Sequence, residues 1–78
     1  MTKQEILLSA KEQRTQEVLG YQINIDNYTL AIEQIGISDD PDLADFKNKL
    51  IELLKTEKIE QKKTQIILTV VEQQLQNL

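Results

Sequence analysis

Few side chains in this 78-residue chain have the types and spacing that chemistry requires. Ser9 and Ser38 are the only serines, and the chain has neither cysteine nor histidine. A hydroxyl nucleophile needs a base beside it, so neither serine is equipped for acyl or phosphoryl transfer. The carboxylates Asp39, Asp40, Asp42 and Asp45 cluster around Pro41. Such a group could hold a divalent cation, but it lacks the central glycine and the distal glutamate of a calcium loop. It reads instead as a helix start. Asp40 is the cap, Pro41 takes the first helical position, and the other carboxylates face the positive end of the helix dipole. General acid–base work by paired carboxylates needs a low-dielectric cleft, and nothing in the pattern promises one. No metal site, cofactor or catalytic residue is expected, and the chain is not expected to be an enzyme.

Lys55, Lys58, Lys62 and Lys63 form the one basic patch. They could meet phosphates, but Glu52, Glu57 and Glu60 are interleaved with them at pairing distance along a helix. The net charge is −4, the wrong sign for displacing counterions from a nucleic acid. No aromatic side chains are interleaved to stack on bases. Tyr21 and Tyr28 stand seven residues apart, and so share one helix face. They read as seam residues with hydroxyls at the edge.

The elements that position these residues are two helices. Thr2 with Glu5 matches a capping box, and Gly36 matches a helix stop. The expected organisation is a single helical domain over 1–78: a helix over 2–35, a turn over 36–40 and a helix over 41–78. Each helix would be about 50 Å long at 1.5 Å per residue. The short connection makes them antiparallel neighbours. Gly20 sits inside the first helix, and residues 19–25 alternate apolar and polar with the period of a strand, so a kink or break near Gly20 is the alternative. The fold class is therefore all-α: a long antiparallel hairpin with coiled-coil-like packing.

Val18, Tyr21, Ile25, Tyr28, Ile32 and Ile35 repeat at three and four in the first helix, and Leu7 joins them. Placed at 100° per residue, Leu43, Phe46, Leu50, Leu53, Leu54, Leu68, Val71 and Leu75 form the facing seam. Lys11, Arg14, Glu57, Gln61 and Thr64 interrupt the two seams. These polar positions either set the register of the pair or mark where the helices splay. Leu19, Ile23, Leu30 and Ile37 lie across the first helix from its seam, and Ile59, Ile66 and Val70 do the same on the second. A contiguous exposed row marks an interface. The rows are expected to drive homo-oligomerisation into a helical bundle.

The expected function is that of a protein–protein interaction module: a small acidic oligomer that binds or inhibits another macromolecule. Phage or mobile-element accessory proteins acting against host defence are of this size and lack of equipment, though no motif assigns the chain to them. Asp39, Asp40, Asp42 and Asp45 would present a negative tip to a partner with a basic surface. The alternatives are a structural subunit of a larger assembly, or an oligomer that sequesters a small ligand between subunits. No apolar run is long enough to span a bilayer or to form a secretory core. The expected location is the cytoplasm, the host's if the chain is phage-encoded.

Overall fold

The computed structural model describes all residues from Met1 to Leu78. It is a hairpin of two helices with no strand, α1 over Lys3–Ile35 and α2 over Pro41–Gln76. The ends follow the local chemistry. Thr2 Oγ1 accepts from the Glu5 amide at 3.1 Å, and its hydroxyl reaches the Glu5 carboxylate at 3.3 Å. Asp40 caps α2 by accepting from the Asp42 amide at 2.9 Å. The Ser38 hydroxyl accepts from the Asp40 amide at 3.1 Å. Gly36 closes α1 at φ +60°, a region that side chains with a Cβ avoid. Lys47 then donates to the Gly36 carbonyl at 2.7 Å, tying the second turn of α2 to the end of α1. The second helix stops at Gln76, with Asn77 as its cap.

α1 runs through Gly20 without a break, and a Cβ built at Gly20 meets nothing within 4 Å. The strand-like alternation of residues 19–25 is the two faces of one helix. Tyr21 and Ile25 turn inward while Leu19 and Ile23 are exposed.

The seam keeps a strict seven-residue repeat. In α1, Leu7, Arg14, Tyr21, Tyr28 and Ile35 recur at one heptad position, and Val18, Ile25 and Ile32 at the other; all are buried or half-buried. In α2 the positions are Lys47, Leu54, Gln61, Leu68 and Leu75, with Leu43, Leu50, Glu57, Thr64 and Val71. This corrects the wheel-based seam near the turn. Phe46 and Leu53 are 50% and 46% exposed, and Ala44, Lys47 and Ile51 are more covered; Leu43 keeps the heptad position of Leu50 but lies in the first turn of α2 and is 42% exposed. The cause is geometric. A strict heptad falls about 20° behind a straight 100° wheel every seven residues, roughly 80° over the four heptads from Lys47 to Leu75.

Such a seam coils the pair. A flat pair of helices would measure roughly 5 Å through its thin dimension, the width of one Cα cylinder. The molecule instead measures 58 × 15 × 14 Å. A two-stranded coil with a pitch of about 150 Å turns through roughly 140° in that length, which makes both short dimensions alike.

The helices stay together through the polar middle. Gln61 Nε2 donates to the Val18 carbonyl at 3.2 Å and to Gln22 Oε1 at 2.9 Å. Asn24 Nδ2 reaches Glu57 Oε2 at 3.4 Å. Arg14 turns to its own helix and grips both oxygens of Glu17, at 2.8 and 3.0 Å. No buried polar side-chain atom lacks a partner. Glu57 and Gln61 therefore bridge the helices by hydrogen bonds, whereas Arg14 bonds within α1 and Lys11 is exposed.

Candidate functional site

Only Leu7, Ile25, Leu50, Leu68 and Val71 are buried. The remaining large apolar side chains are half-covered or open. Leu19, Ile23, Leu30, Ile59 and Ile66 are each more than half exposed, Val70 is 44% exposed, and Ile37 is fully exposed at the turn. The structure thus places all seven residues of the two rows on the surface. They do not share a face. Because each row lies opposite its own seam, one runs along the outer edge of α1 and the other along the outer edge of α2.

The two edges differ in charge. On α1 the exposed outer positions carry Glu5, Glu12, Asp26 and Glu33 beside the apolar row, and no lysine or arginine. Asp26 is held by a hydrogen bond from Gln22 Nε2 at 2.9 Å. Gln22 is itself fixed by Gln61, so the polar layer reaches this edge. On α2, from Lys55 onward, the exposed outer positions carry Lys55, Lys62 and Lys63 beside Ile59, Ile66 and Val70, and no carboxylate. The ion pairs all lie within a helix: Lys55 with Glu52 at 3.5 Å, Lys63 with Glu60 at 3.3 Å, and Arg14 with Glu17. Lys58 and Lys62 are left without a carboxylate partner, and Glu57 faces Asn24 instead of a lysine. The basic patch is therefore only partly neutralised by its neighbours.

Asp39, Asp40, Asp42 and Asp45 are exposed at the turn. Asp40 is committed to the cap, and the cluster does not converge into a group able to hold a metal ion. The surface depressions are open. One lies over Val18, Gln22, Gln61 and Lys62, and another around Gly36, Ala44 and Lys47 at the turn.

No known protein family, characterised protein or solved structure matches the chain. No helix is long and apolar enough to cross a membrane.

Sequence reasoning missed the flank formed by Phe46 and Leu53, which a seven-residue rather than a 100° register would have placed outside the seam. It also missed the opposite charge of the two edges. That signal was present in the spacing of Glu5, Glu12, Asp26 and Glu33, at multiples of seven.

Proposed function

We propose that this chain is a protein-interaction module that acts by binding and not by catalysis. The observation that supports this most is the pair of apolar rows, Leu19, Ile23, Leu30 and Ile37 on one helix and Ile59, Ile66 and Val70 on the other, exposed on a hairpin with five buried residues. Contiguous exposed apolar rows flanked by charge are contact surfaces. The rows serve self-association, and the assembled protein presents the acidic turn to another macromolecule, binding or inhibiting it. Asp39, Asp42 and Asp45 are free for that role, because only Asp40 is used by the cap. A basic protein surface is the matching partner, drawn in by long-range attraction.

The test separates the two surfaces. Replacing Asp39, Asp42 and Asp45 together by Asn keeps shape and leaves the cap in place. Affinity capture from the source cells is expected to retain a basic protein on the wild-type chain and lose it on this variant, with subunit number unchanged. Equal capture by both would remove the acidic turn from the reading.

A further inference from the structure

The two outer edges complement each other better than either complements itself. Along the apolar rows the α1 edge combines Leu19, Ile23, Leu30 and Ile37 with Asp26 and Glu33, and the α2 edge combines Ile59, Ile66 and Val70 with Lys62 and Lys63; nearer the turn the α2 edge also carries Asp42, Asp45 and Glu52. Pairing α1 with α1, or α2 with α2, sets like charges beside one another around a desolvated strip. Pairing α1 with α2 of a second copy sets opposite charges there.

The apolar rows also match in height. Leu30 and Leu19 stand five and sixteen residues before Ile35, the turn end of α1. Val70 and Ile59 stand six and seventeen residues before Gln76, the open end of α2. The rows therefore coincide when the neighbouring hairpin is inverted, its open end beside the first one's turn. In that arrangement Lys63 lies within four residues of the height of Asp26, about 6 Å along the axis, which a lysine side chain spans.

We infer that the α1 edge of one copy docks on the α2 edge of an inverted second copy. This rests on the reading that the rows are contact surfaces, and it names their occupant. Each contact joins unlike edges and leaves one of each free at the ends of the assembly, so association continues past the dimer as a ribbon.

Two variant pairs test this. Along the apolar rows, Lys62→Glu with Lys63→Glu makes both edges acidic, and Asp26→Lys with Glu33→Lys makes both basic. By sedimentation equilibrium, each variant alone is expected to remain a single hairpin, while an equimolar mixture recovers the concentration-dependent growth of the wild type. Failure of the mixture to assemble overturns the inference, as does unchanged assembly of either variant alone. The chain has no native cysteine, so Leu30→Cys and Val70→Cys provide a second measure that leaves the charges alone. Oxidation should cross-link the two only in the mixture. Cross-linking of Leu30→Cys to itself would mean like edges meet, and the inference fails. A wild-type chain that stays a single hairpin at micromolar concentration also overturns it, while leaving open the rows' use by a different protein.

Discussion

Single residues decide where this hairpin is tight and where it has room. Gly20 has room: its backbone is helical and a methyl group there touches nothing. Gly20→Ala is therefore expected to raise stability by about 1 kcal/mol, the usual helix-interior difference. A rise in Tm checks this. A variant with raised Tm but weakened self-association would show that the glycine serves close approach of another chain. Asp40 is the opposite case. Its carboxylate holds the first free amide of α2, and Asp40→Ala is expected to cost about 1 kcal/mol in thermal or urea unfolding. Gly36 could be read as a stop from sequence because its role is local. Lys47 could not, because its hydrogen bond to the Gly36 carbonyl exists only once the chain has turned back on itself.

The helices were legible for the same reason: caps, the proline after Asp40 and apolar spacing are all local signals. The seam of α2 was legible at Leu50, Leu54, Leu68, Val71 and Leu75, but not at Phe46 or Leu53. Phe46 and Leu53 have the right residue types, but their half-exposed placement depends on how far the packing direction has drifted along the coil. The polar layer shows a further limit. Lys11, Arg14, Glu57 and Gln61 could be recognised as interruptions, yet whether they split or join the pair required the bonds from Gln61 to Val18 and Gln22. Polar groups in a coiled seam fix register at a cost in stability. Replacing Glu57 and Gln61 together by Leu is thus expected to raise Tm while loosening the register. Hydrogen exchange along α1 would then show more than one protection pattern, whereas a single sharper pattern would mean that the turn and its Lys47 bond set the register unaided.

At the scale of the whole molecule, five buried residues are a small core for 78. Anything that binds only the folded form adds to its stability, by an amount that rises with the logarithm of its concentration. The thermal midpoint is expected to rise as protein concentration rises, and a midpoint constant across a hundredfold range would mean that the lone hairpin supplies all the stability. The outer edges were found in the sequence as apolar rows, because exposure opposite a seam follows from helical periodicity. Their difference in charge emerged only when every residue could be assigned to one edge or the other.

The near-equal short dimensions of the molecule have a consequence for anything that grips it. The apolar rows are not straight lines on a plank. They wind about the rod like the thread of a screw, the α1 row through roughly 65° over the ~27 Å from Leu19 to Ile37. A flat, rigid surface can touch such a thread over only a short arc. A slender partner that winds with it, as another helix does, can follow it along its full length.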